Sequence, residues 1–278
     1  MKPSVVILTF NSSDSLPATL QSVATLSDDI YVVDSGSTDN TVSIAETHGA
    51  KVVHHPFENY GAQRNWAIEN IATQCVWQLH LDADERLTPE LAAEIAAMPE
   101  ETGDIAGYYL ARYMRFMGRV LRHGGMSPTW HMRLFRRGMG RCEARQYDQH
   151  FLCSGATRQL QGSMIDDIRM SLSEWTARHN RWSDAEVREL MGGETGGRIA
   201  GKWSGNVVQR KRFLRDIYNR APYFARPIGL FVYRYFVRLG FLDGIEGTIF
   251  WVLQTFWFRF LVDAKIYEAR QAAQVGGD

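Results

Sequence analysis

The sequence predicts an α/β fold: a mixed, mainly parallel sheet flanked by helices, followed by amphipathic C-terminal helices. Three observations carry that expectation. Short apolar runs alternate with helix-like segments, as βαβ units require. The early runs each stop abruptly in polar or acidic residues. Last, 278 residues with 45% hydrophobic and 22% charged content can bury one large core, or one core plus an appendage.

Each element has its own local reason. Ser4 to Asn11 is an apolar run entering a polar loop, as a buried parallel strand does. Asp14 or Ser15 can cap a helix through Leu16, Leu20 and Val23, with Pro17 in its first turn. Ile30 to Val33 is a second strand, ending at Asp34-Ser35-Gly36-Ser37-Thr38-Asp39 and feeding a helix from Val42 to His48. Lys51 to His54 is a third strand. Asn59 opens a helix that carries Gln63-Arg64-Asn65 and runs to Ile71. Val76 to Leu81 then reads as a buried strand ending in Asp82-Ala83-Asp84-Glu85, and Thr88-Pro89-Glu90 starts the next helix.

Asp82 and Asp84 are two apart, so on a regular strand their side chains share a face. At a strand's carboxyl end that geometry can hold a divalent cation against a phosphate. A polar strand end before a capped helix accounts for the pair equally well when it is taken alone. The wider pattern is more informative, because ligands of parallel sheets bind outside the carboxyl ends of the strands. Here three such ends carry Asn11, Asp34 and Asp82/Asp84.

Two common nucleotide sites are excluded. No G-x-G-x-x-G follows the first strand, which rules out a dinucleotide fingerprint. Gly196 to Lys202 fits G-x-x-x-x-G-K, but Trp203 replaces the magnesium-binding hydroxyl and no apolar strand precedes it. The glycine-rich stretch 192–205 reads as a mobile loop.

The formal charge of zero conceals an asymmetry. Residues 1–100 hold 4 Lys+Arg against 14 Asp+Glu, a net of −10, and the remaining residues carry +10. An acidic metal-binding half beside a basic half that faces an anionic partner gives this pattern, and so do two halves that neutralise each other. Cys75, Cys142 and Cys153 are an odd set without metal-ligand spacing, which favours a reduced compartment over a disulfide framework. No signal peptide is apparent.

With Asp34 to Asp39, Gln63-Arg64-Asn65 and Leu81-Asp82-Ala83-Asp84-Glu85 in order after their strands, the chain resembles family 2 glycosyltransferases of the GT-A fold. The resemblance covers roughly residues 1–190. It implies a nucleotide-sugar donor, Mg2+ or Mn2+, and transfer with inversion at the anomeric carbon. It implies that Thr9, Phe10, Asn11, Asp34 and Ser35 lie at the base and ribose, although many relatives carry two acids where this chain has Asp34-Ser35. Arg64 would reach the nucleotide, Asp82 would lie near ribose and metal, and Asp84 would ligate the metal. An acidic general base is implied some 60–70 positions after the D-x-D, where Asp148 of Tyr147-Asp148-Gln149-His150 fits. Glu143, Asp166 and Asp167 are rivals.

The second half supplies the acceptor side in this reading. Tyr108 to Met114 and His131 to Arg137 are strands, the latter with alternating basic residues, and Gly124 to Pro128 is a turn. Ser173-Glu174-Trp175 begins a helix. Its Arg178, Arg181 and Trp182 are similar to the Gln-x-x-Arg-Trp motif of processive members, but Arg stands where Gln would, against a polymerising synthase. We therefore expect a catalytic domain over 1–220, with a nucleotide-sugar half (1–100) and an acceptor half (101–220).

Residues 221–278 form an aromatic-rich helical extension. The apolar run Thr248 to Val262 is shorter than the about 20 residues a bilayer span needs and contains Gln254 and Arg259. Trp, Phe and Arg together suit a helix lying in a membrane interface. A hairpin packed on the catalytic domain or in an oligomer contact would use the same surface. The combined expectation is a cytoplasmic, membrane-peripheral enzyme adding one sugar to a cell-envelope glycan or lipid-linked glycan, with no nucleic-acid partner. A sugar nucleotidyltransferase is the enzymatic alternative, disfavoured because Asn11-Ser12-Ser13-Asp14 is neither glycine-rich nor basic. A non-catalytic glycan-binding scaffold would not need Asp34, Arg64, Asp82 and Asp84 together.

Overall fold

A computed structural model describes residues 1–143, 149–191 and 217–275. The chain divides into two compact units, one of residues 1–122 and 126–169, the other of 123–125 and 170–278.

In the first unit, β1 (Ser4–Thr9), β2 (Ile30–Asp34), β3 (Lys51–His54) and β4 (Trp77–Asp82) are parallel, in the order β3-β2-β1-β4. The helices α1 (Leu16–Val23), α2 (Thr41–Thr47) and α3 (Tyr60–Asn70) connect them. The sheet continues through β8 (Thr129–Arg136), β6 (Ile105–Phe116), β11 (Ala156–Ile168) and β5 (Glu85–Leu87), with β7 (Arg119–Val120) paired to β6. Strand β8 is antiparallel to both β4 and β6, so the sheet is mixed. A small separate ribbon joins β9 (Gly140–Cys142) and β10 (Phe151–Cys153).

The period-2 pattern of the early strands builds two apolar layers. Val5, Ile7, Val32, Leu79 and Leu81 face Leu16, Leu20 and Val23 of α1 and Leu91 and Ile95 of α4 (Pro89–Ala97). Val6, Tyr31 and Val33 face the other way, onto Ala67 of α3 and Ile71. The expected helix starts at Asn59 and Thr88 hold. Asn59 accepts from the Ala62 N–H at 2.9 Å and Thr88 from the Leu91 N–H at 3.3 Å, with Pro89 in the first turn. The three cysteines are free thiols.

The second unit holds α5 (Leu172–Met191), α6 (Ala225–Val232), α7 (Gly244–Trp251) and α8 (Phe258–Val275). Helix α5 belongs here because polar contacts tie it to the C-terminal segment. His179 Nε2 meets Gln254 Oε1 at 3.0 Å, Arg259 donates to Glu186 at 2.6 Å, and Lys265 pairs with Asp184. Phe258, Val262 and Ile266 form its core with Val187 and Leu190. The expected long helices are interrupted by π-helical turns at Tyr233–Val237 and Val252–Trp257. Among the described residues no helix is long and apolar enough to cross a membrane.

Candidate functional site

Register brings the predicted strand ends together. Thr9 of β1 lies opposite Asp34 of β2, and Leu8 lies opposite Asp82 of β4, so the three ends share one edge of the sheet. The loops leaving β1 and β2 are laced to each other. Asn11, in the left-handed region at φ 46°, accepts from the Thr38 N–H at 2.8 Å, and its own N–H donates to Ser37 Oγ at 2.8 Å. The Ser13 N–H donates to Asp39 at 3.1 Å.

Asp34 is fully buried and braces this loop. Its carboxylate accepts from Thr9 Oγ1 at 3.1 Å, from the N–H groups of Gly36 and Ser37 at 3.0 and 2.9 Å, and from Ser37 Oγ. Burial opposes the charge, but these hydrogen bonds outweigh it and the carboxyl lies below its ordinary range. Ser35 Oγ accepts from Gln63 Nε2 at 3.1 Å, and Phe10 stands 59% exposed at the β1 end.

The stretch around Asp82 is a network of alternating charge. Arg64 Nη2 donates to both Asp82 oxygens at 3.0 Å. Arg133 Nη2 reaches Asp82 Oδ2 at 2.8 Å and Glu85 Oε1 at 2.5 Å. Glu85 accepts the Asp82 N–H at 3.1 Å and pairs with Arg112 at 3.4 Å, and Arg112 also meets Asp166 at 3.2 Å. Burial raises the Asp82 carboxyl, but Arg64 and Arg133 overcompensate and hold it well below the usual range.

Asp84 differs from its neighbour. The strand ends at Asp82, and Asp84 lies in the turn to β5, so the two do not sit on one regular strand. The Asp84 side chain reaches solvent, yet dense protein surroundings and then the charges of Asp166, Asp82 and Glu85 push its carboxyl well upward. Among the described residues it has no Lys or Arg partner. An accessible carboxylate crowded by other acids suits a hard divalent cation, which prefers oxygen donors. Asp84 is therefore the residue that fits a metal. Asp82 already has both oxygens engaged by arginines, so a metal or ribose would have to share them. Among the described residues no group of three or more His, Cys, Asp or Glu is placed to hold a metal ion.

Behind this edge, His80 is buried and stacked on Phe135 at 4.9 Å. Burial, then Arg133 and Arg64, lower its pKa to about 3, so it stays neutral. Asp166 is raised to about 6 by burial, with Arg112 opposing and Glu85 and Asp82 adding.

The structure thus gathers Thr9, Phe10, Asn11, Asp34 and Ser35 at the linked loops, and Arg64 with Asp82 beside the Asp84 turn. Asp148 lies outside the described residues, as does the glycine-rich loop 192–205. Of its rivals, Glu143 accepts from the His150 N–H at 3.2 Å, and Asp167 is engaged by Arg115 at 3.3 Å and Arg169 at 3.1 Å. On α5, Arg178 lies over the exposed Trp182 ring at 4.7 Å, and Trp175 is buried against His179. Arg133, Arg112 and the bracing role of Glu85 have no place in the expected site. The one visible signal, and for Arg133 alone, was the run of alternating basic residues in β8.

A parallel first half, an antiparallel insertion and an acid–arginine edge at the strand ends define a GT-A-type architecture. The sequence model of Glycosyl transferase family 2 matches residues 4–162, and the chain belongs to that family. An uncharacterized glycosyltransferase of Rickettsia conorii is 45% identical over 122 residues, which span 43% of this chain and 40% of the relative. The chain thus matches about two fifths of that relative's length. The lipopolysaccharide core biosynthesis glycosyltransferase LpsC of Rhizobium meliloti is 24% identical over 250 residues, 86% of this chain and 83% of the relative. Among solved structures, a mannosyltransferase of Pyrobaculum calidifontis in complex with GDP-Man and Mn2+ aligns over 95% of this chain and 86% of its own, at 13% identity and a TM-score of 0.49.

Proposed function

We propose that this chain transfers a single sugar, with inversion, from a nucleotide-diphosphate donor to a cell-envelope glycan or a lipid-linked glycan at a membrane surface. The observation that carries the reading is the accessible Asp84 carboxylate, crowded by acids and set beside the Arg64–Asp82 pair at the shared edge of β1, β2 and β4. The extended likeness to LpsC supports the envelope-glycan class of acceptor.

In this reading the loops after β1 and β2 hold the nucleoside, with exposed Phe10 as an apolar surface and Asn11 and Ser35 as polar contacts. Asp34, buried with its four lone-pair sites taken up by Thr9, Gly36 and Ser37, keeps those loops in register. Arg64 supplies a permanently charged, planar donor near the donor's ribose or diphosphate. Asp84, with Asp82 beside it, would hold Mg2+ or Mn2+, which when bound offsets charge on the departing diphosphate. Asp148 would take the proton of the acceptor hydroxyl as it attacks from the face opposite the leaving group.

The test is release of nucleoside diphosphate from a panel of nucleotide-sugars, with Mn2+ and with chelator. Release or transfer from one donor, dependent on Mn2+ and lost in Asp84→Asn, is expected. A chain that neither turns over nor is thermally stabilised by any nucleotide with Mn2+ would overturn the reading.

A further inference from the structure

The second unit carries an apolar surface that its own core does not use. Between the π-helical turn at Tyr233–Val237 and α7, the chain reverses through a short 3-10 turn, Gly240–Asp243. Around this hairpin tip Phe236, Val237, Leu239, Phe241, Leu242 and Ile245 are all exposed, Val237 at 65% and Ile245 at 67%. Soluble monomers rarely expose large contiguous apolar patches without a partner.

The tip is built to hold its shape. Gly124 lies at φ 74°, where a Cβ would fall 2.1 Å from the Trp251 ring, and its N–H donates to the Arg238 carbonyl at 2.8 Å. The His123 N–H and ring Nδ1 lie 3.0 and 2.8 Å from the Asp243 oxygens. Tyr235 Oη meets Thr248 Oγ1 at 2.9 Å, which ties the two arms together.

Two arginines border the apolar residues. Arg234 is half-buried and donates to the Gly124 carbonyl at 2.8 Å, and Arg238 is exposed beside Gly125. Neither has a carboxylate partner among the described residues. Burial is the main influence lowering the Arg234 pKa, with Tyr233 opposing and Arg238 and Arg259 adding. A second copy is a poor cover for this surface. A two-fold contact repeats the same patch on both sides, so it would set these arginines against each other. Asp243 is already held by His123, which leaves half-buried Glu246 as the acid such a contact could offer. An anionic bilayer answers both features at once, taking the apolar tip into its interface and placing lipid phosphates against the arginines.

We propose that the hairpin tip at Phe236–Ile245, flanked by Arg234 and Arg238, docks on the headgroup region of an anionic lipid bilayer. This deepens the membrane-surface part of the proposed function and is tested without a sugar donor, so the two can fail separately.

The experiment is co-sedimentation of the full chain with phosphatidylcholine vesicles, with and without phosphatidylglycerol, at low and high salt. Phosphatidylglycerol should raise the bound fraction, and salt should lower it. Arg238→Ala should weaken the phosphatidylglycerol-dependent part by about fivefold, as expected for one surface cation. Val237→Asp/Ile245→Asp should abolish binding while circular dichroism and the melting temperature stay at wild-type values. Should the double variant melt early, Val237→Ser/Ile245→Ser should still lower binding with the fold intact. Wild-type protein left in the supernatant with phosphatidylglycerol overturns the proposal. So does a dimer that the same variants dissociate, or displacement from vesicles by inorganic phosphate beyond chloride of equal ionic strength.

Discussion

Arg133 and Asp82 meet from neighbouring antiparallel strands, Nη2 to Oδ2 at 2.8 Å, and the same nitrogen reaches Glu85 Oε1 at 2.5 Å. Arg133 is 3% exposed and Glu85 1% exposed, so this link is a buried ion pair rather than a surface one. Removing one partner of such a pair costs about 3–5 kcal/mol, because the other charge is left buried without compensation. Arg133→Met should therefore lower urea-unfolding stability by that amount. Adding Glu85→Met should recover part of the loss. A single variant within about 0.5 kcal/mol of wild type would show that Arg112 alone satisfies Glu85.

Asp84 should behave in the opposite way. Its folded-state pKa is raised by burial and by Asp166, Asp82 and Glu85, so its charged form is disfavoured in the fold. A group raised in this way destabilises at neutral pH, and that penalty vanishes as pH falls through its folded pKa to its unfolded value. Asp84→Asn removes that charge. The metal-free variant should melt at or above the wild-type temperature, while the stabilisation that Mn2+ and nucleotide give the wild type disappears. A variant that melts well below wild type would mean that Asp84 serves the fold instead.

His80 gives an acid limit to stability. Its pKa is lowered to about 3 in the fold, against roughly 6.5 unfolded. The unfolded chain therefore binds a proton that the native chain does not over this window, and stability falls as pH drops from about 6.5 toward 3, by up to about 1.4 kcal/mol per unit. His80→Phe, stacked on the same Phe135, should flatten that slope in chemical denaturation at pH 7 and pH 4.5. An unchanged slope would place the acid sensitivity elsewhere, with half-buried His131, lowered to about 2, as the next candidate.

The parallel half was legible because its strands are apolar on both faces and its helix starts carry local chemistry, Asn59 and Thr88-Pro89. The strand-end residues followed from that, since Asp34 and Asp82 need only their own strands to be placed. Arg133 was not legible in the same way. Its contact with Asp82 spans 51 residues and exists because β8 inserts antiparallel beside β4, which no local pattern announces. Asp84 was expected on the strand with Asp82, but the chain turns after Asp82, where the buried Glu85 carboxylate captures the Asp82 N–H. The breaks into π-helical turns were equally silent, because the aromatic-rich sequence reads as continuous helix. The ion pairs that bind α5 to α8 were silent too, because they join residues more than 70 apart.

Gly124 tests the second unit's construction. Alanine there meets both a positive φ and the Trp251 ring, so Gly124→Ala should cost more than the roughly 1 kcal/mol of an unfavourable backbone alone. A melting temperature within one degree or so of wild type would mean that Trp251 moves freely aside.

The most direct measurement is sugar-nucleotide turnover by the wild type and by Asp84→Asn, each with Mn2+ and with chelator. The wild type should release nucleoside diphosphate from one donor in Mn2+ and stop in chelator, and Asp84→Asn should lose at least about a hundredfold, the scale of losing one essential electrostatic contact to a leaving group. Equal turnover by the two proteins, or turnover indifferent to chelator, would contradict the assignment of Asp84 and its strand edge as the metal and diphosphate site.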